Sequence, residues 1–217
     1  MTTQGTADAP DGGCAGGHKA RQRKTGDTRR AEIITAALEL MHEVGPGGTT
    51  TTAIAHRIGM AQGSLFRHFP TKRAMWEAVL DSLAQRVTPP IHDAVNGPGT
   101  PLVRLRRVMH TWLELAENIP ALSSLMFSRE VLADSPDMRA LLVERLQRPH
   151  RIYCALISEG IAAGEIKADI DVERVGWILA GMKHSLVMRW TLLDRTLDMH
   201  ADLDVMLDTI IAGMARR

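Results

Sequence analysis

The sequence predicts an all-α protein of about nine helices. Apolar residues recur at helical spacing from about residue 27 to the C-terminus, Gly and Pro mark the breaks, and 45% hydrophobic with 24% charged residues is an ordinary globular composition. No run of about 18 or more uncharged apolar residues occurs, and no apolar stretch follows a basic N-terminal cluster. Neither a membrane helix nor a secretory signal is expected, and the cytoplasm is the expected compartment. Cys14 and Cys154 lie far apart, one in a Gly-rich leader and one in an apolar helical pattern, which suits neither a disulfide framework nor a zinc spacing.

Residues 1–24, rich in Gly, Ala, Thr and Asp and without periodicity, predict a disordered leader with a basic end. From Asp27 or Thr28, both suited to cap a helix, Ala31, Ile34, Leu38 and Met41 draw an apolar stripe, with Ala37 and Val44 alongside, that stops at Gly45, Pro46 and Gly47. A short helix opens near Thr50 or Thr51, buries Ile54, Ala55 and Ile58, and ends at Gly59, where positive φ carries no steric cost. Met60 and Ala61 make a tight turn into a third helix over 62–68, with Leu65 facing inward. Thr71 caps a fourth helix through Met75, Trp76, Val79, Leu80 and Leu83 to about Val87, which Pro89 and Pro90 are expected to end.

Leu102, Leu105, Val108, Met109, Trp112, Leu113 and Leu115 predict a helix ending before Pro120, and Leu122, Leu125, Met126 and Phe127 a short one after it. Pro136 introduces a long pattern through Met138, Leu142, Leu146, Ile152, Tyr153, Leu156 and Ile161, with a bend expected at Pro149. Two more helices follow over about 172–190 and 202–214. On the first, Gly176, Ala180 and His184 fall at i, i+4 and i+8, a stripe that would let another helix approach closely, while Val175, Leu179, Met182 and Leu186 fill the neighbouring stripe. The last helix carries Leu203, Met206, Leu207, Ile210 and Ile211.

The net charge of +1 conceals an asymmetry. Residues 18–88 hold eleven Lys or Arg against six Asp or Glu, whereas residues 89–217 hold fifteen against seventeen. The stretch HKARQRKTGDTRR, residues 18–30, has six cations and one acid, the pattern of an arm that neutralises phosphates. Beside it, two short helices joined by a tight turn at Gly59 make a helix-turn-helix, whose second helix enters the DNA major groove N-terminus first. Gln62 suits adenine edges, Ser64 a base or phosphate, Gly63 a close backbone approach, and Arg67 or His68 a phosphate.

Residues 29 to about 80 resemble the DNA-binding domain of the TetR family of bacterial transcriptional regulators. TTAIAHRIGMAQGSLFRHFPTKRAM, residues 51–75, follows that family's T-x-x-x-I-A, glycine turn, G-T-L-Y-x-H-F and K-x-x-L, without a gap. The resemblance implies that Thr50 starts the supporting helix near the DNA backbone, that Gln62, Gly63 and Ser64 meet bases, and that Phe66, His68 and Lys72 meet phosphates. Three positions depart from the pattern: Phe66 where Tyr is usual, Ala61 where a capping Ser is common, and Ala53 where an acid would complete a capping box. ISEGIAAGEIKADIDVERVGWILAGM, residues 157–182, resembles the family's passage from its long helix into the first of two dimerisation helices.

The expected organisation is therefore a helix-turn-helix domain over 25–70 and a helical regulatory and dimerisation domain over 71–217, linked by the helix at 71–87. Two helices from each subunit would form a four-helix bundle through Gly176, Ala180, His184, Met206 and Ile210. A dimer also follows from recognition, because one short helix reads too few bases to find an operator. By resemblance, Met109, Trp112, Met126, Phe127, Tyr153, Leu156 and Trp177 lie on the helices that enclose a small-molecule cavity, which suits an apolar or aromatic effector with Tyr153, His110 and His150 as polar handles.

No metal or other cofactor is expected: His42, His56, His110, His150, His184 and His200 lack the i, i+4 pairs and acid partners of a metal site. An enzyme fails on inventory, with no phosphate loop, no Gly-x-Ser-x-Gly elbow and no carboxylate pair in an apolar setting. The leading expectation is a homodimeric repressor released from a palindromic operator by a small effector. The alternative is an architectural or cell-division DNA binder on the same fold, controlled by a protein partner.

Overall fold

The computed structural model describes residues 25–126 and 136–215, without the side chains at positions 46, 125, 126, 136–142, 145 and 146. The expected leader and Phe127 lie outside the described residues. Among those described, nine helices follow one another: α1 (Gly26–Gly48), α2 (Thr51–Arg57), α3 (Gln62–His68), α4 (Lys72–Asn96), α5 (Pro101–Asn118), α6 (Pro120–Met126), α7 (Pro136–Ala162), α8 (Val172–Leu192) and α9 (Met199–Met214).

Capping follows side-chain chemistry at most of the starts. The hydroxyls of Thr50, Thr71 and Thr100 accept the backbone N–H three residues on, at 3.1, 3.0 and 3.5 Å, and the Asp171 and Asp198 carboxylates do the same for α8 and α9. The cap of α1 is Thr25, two or three residues ahead of the expectation, with its hydroxyl 3.3 Å from the Thr28 N–H. Gly45 (φ 75°, ψ 168°) interrupts the end of α1 where the glycine cluster predicted its end.

Two expectations about packing need correction. In α1 the buried face is Ile33, Ala36, Ala37, Leu40 and Met41, while Ala31 and Val44 are exposed. The expected stripe was centred one position away, because a run of apolar residues on both sides of a helix leaves its inward edge to be chosen by α2, α4 and α6. Helix α4 does not stop at Pro89 and Pro90 but runs on to Asn96. Each proline removes one backbone donor at a cost of roughly 3 kcal/mol. Ile91 and Ala94, buried beyond them, offset that cost. Helix α7 runs as one element from Pro136 to Ala162 with Pro149 inside it, as the long apolar pattern predicted.

The core has two lobes. The first joins Ile33, Met41, Ile54, Leu65, Phe69, Trp76 and Leu80 from α1 to α4 and the turn after α3, and it extends to Leu115, Ile119 and Ala121. The second joins Leu105, Met109, Tyr153, Leu156, Leu179, Leu186, Leu203 and Leu207 from α5 and α7 to α9. Trp112, Ile152 and Val95 pack against both lobes. Movement in the second lobe therefore has direct routes to the helices that carry α3.

Candidate nucleic-acid interface and regulatory core

The helix-turn-helix is built on apolar pins and polar braces. Leu65 and Ile54 are fully buried, and the Ile58–Met60 turn closes with Met60 N–H donating to the Ala55 carbonyl at 2.9 Å while Gly59 takes φ 63°. The Arg57 guanidinium grips the Glu43 carboxylate, one bond being 3.0 Å, and holds that carboxyl below its ordinary range, which ties α2 to α1. Arg30, placed by sequence in the phosphate-neutralising arm, instead donates to the His68 carbonyl and lies over the Phe69 ring at 4.2 Å. It is a brace at the end of α3 that no spacing rule indicated.

These pins leave the N-terminal turn of α3 open to solvent. Gln62, Gly63, Phe66 and Arg67 are exposed, and Ser64 and His68 partly so. Gln62 Nε2 donates to the Thr51 hydroxyl at 3.0 Å, and Arg67 donates to Ser64 Oγ, so these side chains are oriented before any partner arrives. A Cβ added at Gly63 would meet nothing within 4 Å, so the chain's own packing places no demand for glycine there. Thr50 Oγ1 is occupied as the cap of α2, and Lys72 is exposed in the first turn of α4. Ala61 precedes α3 without a side-chain cap, as its departure from the family pattern led us to expect.

The regulatory lobe departs further from expectation. Met109, Tyr153 and Leu156 are buried and Trp112 partly buried in contact with the second lobe. Met126 belongs to α6 but its side chain is outside the described set. Trp177 is 53% exposed, with one face of its ring stacked on His150 of α7 at 4.0 Å and the rest open to solvent, so it lies over the α7–α8 seam and not inside the lobe. Two expected polar handles are engaged elsewhere. His110 contacts Asp204 at 2.9 Å and shares a hydrogen bond with His200 at 2.8 Å, and His150 Nε2 donates to the Glu173 carbonyl at 3.2 Å.

Acid partners for histidines thus exist across helices, where sequence spacing could not show them. Asp204 is held below its usual range by His110 and Arg106. His150, Cys154 and Glu173 gather on α7 and α8, and their ligand atoms lie within 4.8 Å of one another, a donor set capable of holding a cation. His150 and Cys154 stand at i, i+4, a pair the sequence reading passed over. In this arrangement His150 Nε2 donates to the Glu173 carbonyl and the Glu173 carboxylate is three-quarters exposed, so the trio bridges α7 and α8.

The buried interior also holds a residue that sequence reasoning missed. Lys183, 4% exposed, stands on α8 in the run WILAGMKHSLVM, and burial pulls its ammonium down to about 8. The readable signal was a lone Lys within the otherwise uncharged stretch from Val175 to Met188.

The small-residue stripe of α8 is turned inward. A Cβ at Gly176 would stand 2.7 Å from Cys154 Sγ and 3.0 Å from His150 Nε2, and Ala180 is buried, so close approach is used against α7 of the same chain. His184 is partly buried, with Nδ1 on the Ala180 carbonyl at 2.6 Å, and Met206 and Ile210 pack partly buried on the second lobe. Outward on α8 stand Trp177, Ile178, Gly181, Met188 and Leu192, and on α9 Val205. Among the described residues no helix is long and apolar enough to cross a membrane.

Comparison with known proteins converges on one family. Residues 33–79 match the profile of bacterial regulatory proteins of the tetR family, and residues 101–206 match that of the tetracyclin repressor-like C-terminal domain. The nucleoid occlusion factor SlmA of Alteromonas mediterranea is 30% identical over 121 residues, 55% of this chain and 62% of that protein. SlmA of Vibrio campbellii is 28% identical over 66% of this chain and 80% of its own length. In fold, the chain resembles the ketosteroid transcriptional regulator KstR2 of Mycobacterium tuberculosis, with TM-score 0.68, 24% identity and coverage of 87% and 96% of the two chains. It also resembles FadR of Bacillus subtilis, solved with stearoyl-CoA, with TM-score 0.72, 23% identity and coverage of 84% and 98%. These neighbours are named as regulators, none as an enzyme. With the helix-turn-helix and the helical C-terminal part each matching its own profile, the chain belongs to the TetR family of DNA-binding bacterial transcriptional regulators.

Proposed function

We propose that this protein is a homodimeric repressor that binds a palindromic operator through α3 and is released by a small apolar or aromatic effector held in the lobe formed by α5, α7 and α8. Residues 25–70 serve as the reading head and 71–217 as the regulatory part, and both act in the cytoplasm, where the chromosome is. The observation that carries the reading is the exposed, pre-oriented first turn of α3, with Gln62, Gly63 and Ser64 toward bases and Phe66, Arg67, His68, Lys72 and Thr50 around the DNA backbone. The outward face of Trp177, Ile178, Gly181, Met188, Leu192 and Val205 supports pairing of α8 and α9 with those of a second copy, since so much apolar surface on adjacent helices calls for a cover.

An effector acts only by preferring one arrangement of the two heads. Release from the operator by about 100-fold corresponds to a coupling of roughly 2.7 kcal/mol, within the usual allosteric range. Trp112, in contact with both lobes, gives that coupling a physical route. The test is selection of binding sites from a genomic fragment library by the purified protein. We expect paired half-sites about one helical turn or more apart and binding that weakens steeply with salt as phosphate counterions are displaced. Equal affinity for all fragments, or indifference to salt, would sink the reading. The SlmA relatives favour a second one, a chromosome-associated factor controlled by a protein partner. Selected sites scattered across the genome, away from promoters, would support it.

A further inference from the structure

Resting on the proposed induction, the structure also indicates the chemistry of the effector. Lys183 is buried, and no carboxylate among the described residues pairs with it. Its Nζ lies 4.4 Å from the centre of the Trp112 ring, whose π face is its partner among the described residues. Among the described residues the indole N–H of that same Trp112 is buried without an acceptor, and so is the phenol O–H of Tyr153 on the adjoining α7. Tyr153 is fully buried and its proton is held on, so its hydroxyl is present as a donor. Arg104 Nε is likewise unaccepted, but that guanidinium is already used on the Val95 carbonyl and the Glu159 carboxylate.

The three remaining groups share one property: each is a donor lacking an acceptor among the described residues. They stand on α5, α7 and α8, which pack on one another around Met109, Leu156 and Leu179. Buried polar groups are otherwise matched in folded proteins, and a buried ammonium without a counter-charge is costlier than either neutral donor. Core stability alone gives no reason for a lysine where leucine or methionine would fill the same volume. A ligand bringing oxygen acceptors and one negative charge would satisfy the set. Lys183 is the only buried Lys or Arg among the described residues, which matches a single anionic charge and disfavours a multiply charged head.

We propose that the effector is an otherwise apolar carboxylic acid whose carboxylate accepts from Lys183 Nζ, with its hydrocarbon part lying among the apolar side chains of α5, α7 and α8. Binding involves no covalent step: the carboxylate gives up its water and supplies the counter-charge that the buried ammonium lacks.

The test uses the full chain and four probes, decanoate, oleate, phenylacetate and naphthoate, each beside its methyl ester, with thermal shift and calorimetry as readouts. In the wild-type protein at least one acid should bind about tenfold or more tighter than its ester. Lys183→Met should remove that preference while leaving the ester's affinity within about twofold, and Lys183→Arg should keep part of it. The melting temperature of each ligand-free variant serves as the folding control. Esters that bind as well as acids, an acid preference that survives in Lys183→Met, or no binding in either series would overturn the proposal. Operator binding measured with the same probes separates the two levels. Release by an ester and not its acid leaves induction standing and removes the carboxylate, whereas an acid that binds through Lys183 without releasing the operator keeps this site and removes induction.

Discussion

At the scale of the residue, recognition and stability are assigned to different atoms. Among the described residues Gln62 is tied to the Thr51 hydroxyl alone, so Gln62→Ala should leave folding almost unchanged. It should cost roughly 1–3 kcal/mol of operator binding and relax the choice at one or two base pairs, whereas Lys72→Ala should weaken all sequences about equally. Competition binding with single-base operator variants tells the two apart, and identical profiles would refute the division into base and phosphate contacts. Gly63→Ala is the sharper case. With open space around an added Cβ, alanine should stabilise the free protein by up to about 0.5 kcal/mol through helix propensity, yet weaken operator binding by occupying the gap between backbone and base. Thermal melts paired with mobility shifts check both signs. Lys183 adds a pH signature, because its ammonium is pulled from 10.5 to about 8 by burial. Between those values the unfolded chain holds a proton that the folded chain has released, so stability rises with pH across that window. Below about pH 8 the penalty is fully present, on the order of 3 kcal/mol. Lys183→Met should therefore raise the melting temperature at neutral pH and flatten the rise between pH 8 and 10.5. Chemical denaturation of both proteins at several pH values measures it, and parallel curves would show that the ammonium is not buried in solution.

At the scale of the element, α4 is the long connection between the reading head and the regulatory lobe, and it carries two prolines where a helix is weakest. Pro89 is exposed, so its replacement disturbs no packing. Pro89→Ala restores an N–H to the helical ladder. The gain should be about 2 kcal/mol, the roughly 3 that an interior proline costs less the up to about 1 by which it stiffens the unfolded chain. Urea denaturation checks the figure. A destabilised variant would mean that the prolines set a bend on which the packing of Ile91 and Ala94 depends. Helix α8 shows how one element serves two neighbours: Gly176 and Ala180 admit α7, while the opposite face is left with Ile178, Met188 and Leu192 exposed.

For the whole molecule, that outward face makes a dimer testable with one substitution. A bulky residue at Ala180 would overpack the chain's own interior, so it cannot isolate the interface. Gly181 is exposed, with nothing within 4 Å of an added Cβ, and lies between Ile178 and Met188 on the outward face. Gly181→Glu should leave the subunit folded and place two like charges across a symmetric contact, shifting sedimentation from dimer to monomer and lowering operator affinity with it. A dimer of unchanged stability would locate the contact elsewhere.

The helix-turn-helix was legible because it is local: Thr50, Gly59, Gln62, Leu65 and Thr71 act through neighbours three to eleven residues away, within reach of capping rules, turn chemistry and a family motif. The same rules placed eight of the helix starts near their observed positions and erred where a proline or an apolar run required knowledge of what lay opposite. The inner face of α1, the passage of α4 through Pro89 and Pro90, the outward turn of Trp177 and the inward turn of Gly176 were all decided by partners far along the chain. So were the contacts of His110 with Asp204 and of Lys183 with Trp112, 94 and 71 residues apart in sequence. Periodicity tells that a helix has an apolar side. Only the packing of helices against one another decides which residue on that side meets solvent, which meets a neighbour, and which buried donor is left without an acceptor.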